Sequence, residues 1–139
     1  MKYLLDTDTM IYYLKGEESV KQKILMIGLE NISISIITLF ELYYGAYNSK
    51  KIDENIQRID KIKEIILVFG IDSSIFHHFG KIKSSLRKTG KIIGDFDLII
   101  GITVLSKNMI LVTNNIEHFS RIEGIVIENW YKDENNNIS

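Results

Sequence analysis

The chain has 139 residues, a formal net charge of −1 at pH 7, 45% hydrophobic residues and 25% charged residues. These values are typical of one globular domain, and they exclude an intrinsically disordered or fibrous chain. The sequence contains no cysteine, which excludes a disulfide framework, a thiolate zinc site and a cysteine nucleophile.

The start of the sequence and its hydropathy bear on location. Only one lysine precedes Asp6, and no charge-free apolar run reaches the roughly 18 residues that a membrane-spanning helix needs. We therefore expect a cytoplasmic protein with no signal peptide and no membrane association.

The hydrophobic pattern predicts strands and helices in alternation. In chain order it predicts a strand at 3–6, helices at 8–16 and 17–27, a strand at 31–36, helices at 38–47 and 53–67, a strand at 68–71, helices at 73–88 and 95–107, and strands at 109–113 and 125–128. This alternation favours an α/β fold with a parallel sheet. We interpret residues 1–132 as one domain and residues 133–139 as a flexible polar tail.

Acidic and amide side chains follow the predicted strands at one edge of the sheet. In chain order they are Asp6, Asp8, Glu41, Asp95, Asp97, Asn114 and Asn115. Parallel α/β sheets carry their sites at this edge, outside the carboxyl ends of the strands. Carboxylates that converge there raise one another's pKa values unless a hard cation such as Mg²⁺ or Mn²⁺ binds among them. The pattern therefore indicates a metal site with oxygen ligands.

Most of these acids also have a purely structural interpretation. Asp8 and Asp95 are possible helix N-caps, and residues 38–41 match a capping box in the first turn of their helix. Asp97 would complement the positive end of a helix dipole. Asp6 is different, because it ends an apolar strand and is not expected at a cap.

Four short segments resemble the PIN-domain nucleases. They are Asp6–Thr7, Glu41–Leu42–Tyr43–Tyr44–Gly45, Gly94–Asp95–Phe96–Asp97–Leu98–Ile99–Ile100 and Leu111–Val112–Thr113–Asn114–Asn115. Within that family their order and spacing most resemble the VapC-type toxins of toxin–antitoxin pairs. The resemblance covers nearly the whole chain, and it implies a three-layer α/β/α fold with a central, mostly parallel sheet of four or five strands.

The resemblance also implies which acids perform the chemistry. Asp6, Glu41 and Asp97 would hold Mg²⁺ or Mn²⁺ and position the attacking water, with Asp95 as an auxiliary acid. The implied activity is metal-dependent hydrolysis of RNA phosphodiester bonds.

Further residues and partners are implied in the same way. Thr7 and Thr113 would be hydrogen-bonding supports at the substrate. Many PIN domains have a fourth acid where this chain has Asn115, so the amide is implied to orient water or substrate. A homodimer is implied, and so is a small antitoxin whose C-terminal segment blocks the groove.

Positive charge is concentrated in the middle of the sequence. Residues 50–91 carry ten basic and five acidic side chains, and no acid occurs between 81 and 91. Lys83, Arg87 and Lys91 lead directly into the segment at 94–97, where they would bind backbone phosphates of RNA. A solvated helix surface is the alternative interpretation of these charges.

Two other classes of function remain open from the sequence. Residues 6–9 resemble the opening motif of haloacid-dehalogenase-like phosphatases, in which Asp6 would be a covalent nucleophile and Asp8 the general acid or base. That interpretation leaves Glu41 without a role. The other class is a non-catalytic α/β binding module whose acids are only helix caps.

Overall fold

The computed structural model describes residues 2–133 and confirms the α/β class. The strands in this range are β1 (Tyr3–Leu5), β2 (Ile32–Ser35), β3 (Leu67–Phe69), β4 (Ile110–Val112) and β5 (Ile127–Glu128). The helices are α1 (Thr7–Leu14), α2 (Glu18–Ile27), α3 (Ile36–Tyr47), α4 (Ile52–Ile65), α5 (Phe76–Lys88), α6 (Asp95–Ser106) and α7 (Ile116–Phe119). Of the predicted tail at 133–139, all but Asp133 lies outside the described residues.

The strands form one parallel sheet in the order β3-β2-β1-β4-β5. β1 is central, since Tyr3 pairs with Ile32 of β2 on one side and with Ile110 of β4 on the other. The chain builds β2 and β3 on one side of β1 and then crosses to β4 on the opposite side. The predicted parallel sheet is thus confirmed, with five strands in residues 2–133.

Consecutive residues of β1 enter two separate hydrophobic cores, because side chains alternate between the faces of a strand. Leu4 packs in a core with Leu86 of α5 and Ile100 of α6. Leu5 packs in the other core with Met10 of α1 and Ile59 of α4. Helices therefore cover both faces of the sheet, and the predicted three-layer arrangement is confirmed.

Helix α6 is buried along most of its length. Leu98, Ile100 and Ile102 have no exposed surface, as expected for a helix that is apolar on nearly all sides. Only its first turn carries charge, on Asp95 and Asp97. Within residues 2–133, none of the helices is both long and apolar enough to cross a membrane.

Four of the predicted helices start within one residue of the prediction, whereas α3 and α5 start two and three residues away and α7 was not predicted. α5 begins at Phe76 and not at residue 73, because Ser73–Ile75 form a 3-10 turn. α3 begins at Ile36 and not at Thr38, because Ser35 caps it and accepts the backbone N–H of Ile37 at 3.1 Å. The short helix α7 was not predicted, since four residues are too few to show helical periodicity.

Candidate active site

The site lies where the order of the sheet reverses. β1 and β4 are neighbours, but the chain leaves β1 towards β2 and reaches β4 from the far side of the sheet. Such a switch point leaves a crevice outside the carboxyl ends of the two strands. Asp6 follows β1 and Thr113 follows β4, so both residues stand at this crevice.

Asp6 is buried and its carboxylate is held at both oxygens. Its Oδ1 accepts the backbone N–H of Thr9 at 2.9 Å, and its Oδ2 accepts the hydroxyl of Thr113 at 2.5 Å. The backbone N–H of Asp6 donates to the carbonyl of Val112 at 3.0 Å, which extends the pairing of β1 with β4. The carboxylate is therefore fixed to two strands and to one helix.

The expectation that Asp6 is not at a cap was wrong. Asp6 is the N-cap of α1, which makes Asp8 a residue of the first helical turn and not the cap. The reason is local: β1 ends at Leu5 and α1 begins at Thr7, so a single residue both ends the strand and starts the helix. The cap role and the crevice position therefore coincide in one side chain.

Thr113 links Asp6 to the segment after β4. Its hydroxyl donates to Asp6, and its oxygen accepts the backbone N–H of Asn115 at 2.9 Å. Asn115 occupies the N-cap position of α7, but its side chain makes no capping hydrogen bond and is exposed. The amide is therefore beside the crevice and open to solvent.

Glu41 is tied to the turn after β1 by a chain of hydroxyls. Thr7 donates to Glu41 Oε1 at 2.6 Å, and the hydroxyl oxygens of Thr38 and Thr7 lie 3.1 Å apart. Since the Thr7 proton points to Glu41, the buried Thr38 hydroxyl donates to Thr7. The predicted capping box was wrong, because α3 starts at Ile36 and Glu41 lies beyond its first turn.

The two acids of α6 have different partners. Gly94 occupies the N-cap position, so the interpretation of Asp95 as the cap was wrong. Asp95 is exposed and pairs with Lys83 of α5, with Nζ and Oδ1 2.8 Å apart. Asp97 is partly buried, and its Oδ2 lies 3.2 Å from Nε2 of His118.

Electrostatics connects Asp97 with the acids after β1. Burial raises the pKa of Asp6 above its ordinary value, against the hydrogen bonds from Thr113 and Thr9 and with a contribution from the charge of Asp8. Burial also raises the pKa of Asp97, opposed by His118 and increased by the charge of Asp8. The charge of Asp8 therefore acts on both carboxyls.

The donor chemistry of this cluster fits a hard divalent cation. Every acidic donor is a carboxylate oxygen, and two of the carboxyls have raised pKa values, as expected for acids gathered in a partly buried crevice. Among residues 2–133, no three acidic or histidine side chains already stand together at metal-ligand spacing. The fit of this site to a divalent cation therefore rests on its oxygen donors and on the repulsion between its carboxylates.

Sequence reasoning missed some of these contacts. Asp8 was assigned to a cap or to a phosphatase, whereas it lies on the first turn of α1 and its charge reaches Asp6 and Asp97. His118 sits on α7, which was not predicted, so its contact with Asp97 had no local signal. Asp8 was already among the acids predicted at this sheet edge, but nothing in its spacing showed that its charge reaches Asp97.

The predicted phosphate-binding residues lie beside the α6 end of the crevice. Lys83 contacts Asp95, while Arg87 near the end of α5 and Lys91 in the following loop are exposed. The structure therefore brings Lys83 to Asp95. Arg87 lies one turn further along α5, and Lys91 follows in the loop that leads to α6.

Comparison with known proteins gives a consistent result over most of the chain. The family model described as "PIN domain" matches residues 3–125. A protein named ribonuclease VapC2 from Rickettsia felis is 34% identical over 134 residues, which cover 95% of this chain and all of that protein. A protein named tRNA(fMet)-specific endonuclease VapC from Salmonella typhimurium is 32% identical over 130 residues, covering 94% and 98% of the two chains.

Solved structures agree with the sequence comparison. A chain of VapBC2 from Rickettsia felis, in a crystal structure with a DNA fragment from the promoter of that pair, superposes with a TM-score of 0.86. The two chains are 33% identical, and the match covers 94% of this chain and 100% of the other. The five-stranded sheet and its crevice therefore have a close structural counterpart.

Proposed function

Since this chain belongs to the PIN-domain family and, within it, to the VapC proteins, we propose that it is a metal-dependent endoribonuclease and the toxin of a toxin–antitoxin pair. The ribonuclease activity is inferred from relatives that are named ribonucleases and that match this chain over nearly their whole length. The metal, the RNA and the partners are the parts that this proposal adds. Its place of action would be the cytoplasm.

One observation supports the proposal more than any other. The Asp6 carboxylate is buried at the switch point of the sheet and accepts hydrogen bonds from Thr113 and Thr9. The charge of Asp8 contributes to the raised pKa of Asp6 and also to that of Asp97. The bond from Thr9 is the N-cap contact of α1, but capping requires neither the hydrogen bond from Thr113 nor a second acid influenced by Asp8. A crevice that gathers carboxylates at a partly buried sheet edge suits cation binding followed by phosphodiester hydrolysis.

In this mechanism each residue has a defined task. Asp6, Asp97 and Glu41 would hold Mg²⁺ or Mn²⁺, which would supply positive charge to activate water and to neutralise the phosphate. Glu41, kept in place by Thr7, orients the water for in-line attack on phosphorus. Asn115 offers an exposed amide that donates a hydrogen bond to the phosphate or to the water.

The remaining polar residues support this arrangement. Thr7 and Thr113 fix the carboxylates of Glu41 and Asp6. Asp95 completes the acidic edge and holds Lys83 beside it. Lys83, with Arg87 and Lys91, would bind phosphates of the RNA strand, which gives affinity that depends on salt.

The phosphatase interpretation is not supported. It needs Asp6 as nucleophile and Asp8 as acid or base, yet it has no use for the hydrogen-bonded pair of Thr7 and Glu41. The relatives are ribonucleases and endonucleases, so the comparisons support the nuclease interpretation and not this one.

Two protein contacts belong to the proposal. A mainly apolar cavity of about 240 Å³ between α1, α3 and α4 has Glu41 in its wall, so an antitoxin segment seated there would reach the acids. The solved VapBC neighbours are consistent with such a partner. The exposed stripe of Phe40, Tyr44 and Tyr47 on α3 offers an apolar face for a homodimer.

The deciding experiment compares two substrates and two metal conditions. Purified protein is incubated with total cellular RNA and, separately, with a phosphomonoester, in Mn²⁺ or in EDTA. Variants Asp6→Asn and Glu41→Gln test the site, and Asp53→Asn on the exposed first turn of α4 is the matched control. We expect RNA cleavage in Mn²⁺ only, lost in both site variants and retained in the control.

Other outcomes would reject the proposal. Phosphomonoester hydrolysis that needs Asp6 and ignores Glu41 would establish the phosphatase. Cleavage that persists in EDTA would refute the metal dependence. A Mn²⁺-induced rise in Tm that is present in wild type and absent in Asp97→Asn would independently locate the ion, because binding to the folded state alone stabilises it.

A further inference from the structure

A second cavity lies beside the acidic crevice, and the mechanism above gives its apolar lining no role. It has a volume of about 260 Å³ and lies between α5 and the start of α6; its lining residues are Lys83, Leu86, Arg87, Ile92, Ile93 and Leu98. Pockets for drug-sized ligands occupy about 300–1,000 Å³. This cavity therefore has room for one small ring system.

The floor and the rim of the cavity differ in chemistry. Leu86, Ile93 and Leu98 are buried and form an apolar floor. Lys83 and Arg87 are exposed and form a cationic rim. An apolar floor under a cationic rim complements an occupant with a flat apolar ring and an attached anion, which is the description of a nucleotide.

A second arginine, Arg121, fixes the loop that carries the lining residue Ile92. Nη1 of Arg121 donates to the backbone carbonyl of Ile92 at 2.6 Å, which ties the loop before α6 to the segment after α7. The chain has only three arginines among its seventeen basic residues. Arg87 lines the cavity and exposes its planar guanidinium, which can stack on a base, whereas Arg121 bonds to the backbone of the lining residue Ile92.

One lining residue of the cavity, Lys83, contacts an acid next to the proposed active site. This acid is Asp95, whose Oδ1 lies 2.8 Å from Nζ of Lys83. Asp95 and Asp97 lie in the same first turn of α6. The cavity therefore lies within reach of RNA that has a phosphate bound at these acids.

We propose that this cavity is a nucleobase subsite, which takes one unpaired base of the RNA next to the cleaved phosphate and thereby sets a base preference. The inference rests on the ribonuclease function proposed above. In this subsite Arg87 stacks on the base instead of binding a phosphate, Leu86 and Ile93 enclose the apolar edge of the base, and Lys83 keeps its contact with the adjoining phosphate. Single-stranded RNA is suited to such capture, because its bases can be splayed out and stacked on guanidinium planes.

The test separates a planar contact from a simple charge. Arg87→Lys keeps the positive charge and loses the plane, Arg87→Ala loses both, and Arg58→Lys on the exposed face of α4 is the matched control. Wild type and variants cleave a single-stranded RNA of mixed sequence, and cleavage is read at every position. We expect the ratio of rates at favoured and disfavoured bases to fall about ten-fold in Arg87→Lys and Arg87→Ala, and to stay unchanged in the control.

A binding measurement tests the same subsite without cleavage. Short single-stranded RNAs carry 2-aminopurine at successive positions and are titrated in EDTA. We expect fluorescence to rise at one position, as that base leaves its stack, and the rise to be absent in Arg87→Lys.

The possible failures are distinguishable. If wild-type protein cuts no RNA, the proposed function fails, and the fluorescence titration still decides whether a base enters the cavity. If RNA is cut but the profile is the same in Arg87→Lys, Arg87 contacts only phosphate and the subsite is refuted. A cavity that receives a side chain of a protein partner would likewise leave both the cleavage profile and the fluorescence unaltered in the variants.

Discussion

The two sides of the acidic crevice are built in different ways. On the β1 side, the Asp6 carboxylate is buried and accepts hydrogen bonds from a backbone N–H and from the Thr113 hydroxyl. On the α6 side, Asp95 and Asp97 are more exposed, and they contact the side chains of Lys83 and His118. One side is fixed by the sheet, and the other is held by groups that can rotate.

This difference indicates that the β1 side and the α6 side have different roles in the site. A carboxylate fixed by strands keeps its position whether or not a ligand is bound, so Asp6 is the reference point of the site. Asp95 can exchange Lys83 for another partner at small cost, because exposed ion pairs contribute only about 0–1 kcal/mol. The α6 side is therefore the side that would adapt to the proposed cation and substrate.

The largest expected effect compares the two sides directly. Asp6→Ala and Asp97→Ala should each lower RNA cleavage by about 100- to 1,000-fold or more, as does removal of one charge-stabilising group in other enzymes. Only Asp6→Ala should also lose about 0.5–2 kcal/mol of unfolding free energy, since Asp6 is the N-cap of α1. Cleavage rates and urea unfolding measure the two quantities, and equal stability losses would contradict the asymmetry.

A smaller effect is expected from the hydroxyl that fixes Asp6. Thr113→Val keeps the shape and removes the donor to Asp6 and the acceptor for Asn115. We expect cleavage to fall about 10- to 100-fold, the usual cost of losing a partner that orients a metal ligand. The control is Thr103→Val, which removes a buried hydroxyl that bonds only within α6. An equal loss in both variants would indicate general destabilisation and not a role of Thr113 at the site.

The smallest effect concerns pH in the absence of metal. Burial raises the pKa of Asp6 in the folded protein, so the folded state favours the protonated carboxyl. The resulting stabilisation is present at low pH and is lost as pH rises through the raised pKa. Asp6→Asn cannot titrate, so in EDTA its Tm relative to wild type should rise from acid to neutral pH. Parallel Tm profiles of the two proteins would show that the Asp6 carboxyl is not penalised by burial.

The sheet was predictable because its strands carry a strong local signal. Tyr3–Leu5 and Ile110–Val112 are short apolar runs, and Ile32–Ser35 alternates, so each reads as a strand without tertiary information. The parallel class then followed from the alternation with helices. Boundaries were less predictable, since Ile36 and Ile37 continue the strand pattern into α3 and conceal the cap at Ser35.

The residues of the candidate site could be proposed from the sequence, but their contacts could not. The strand pattern lists the acids at one sheet edge, and the resemblance to the PIN-domain nucleases singles out Asp6, Glu41 and Asp97 among them. Their partners could not be named from spacing, since the pairs of Thr7 with Glu41 and of His118 with Asp97 form only through tertiary packing. That Asp6 both follows β1 and caps α1 could not be predicted, because it depends on a turn of only one residue between the strand and the helix.

The hydrogen bond between Thr113 and Asp6 joins residues 107 positions apart in the chain. At roughly 5–20 residues per second, a ribosome needs about 5–20 s to add that stretch. Until β4 has emerged and paired beside β1, the Asp6 carboxylate lacks the hydrogen bond from the Thr113 hydroxyl, and the crevice between the two strands is not formed. Assembly of the crevice is therefore coupled to the pairing of β1 with β4 and cannot precede the synthesis of Thr113.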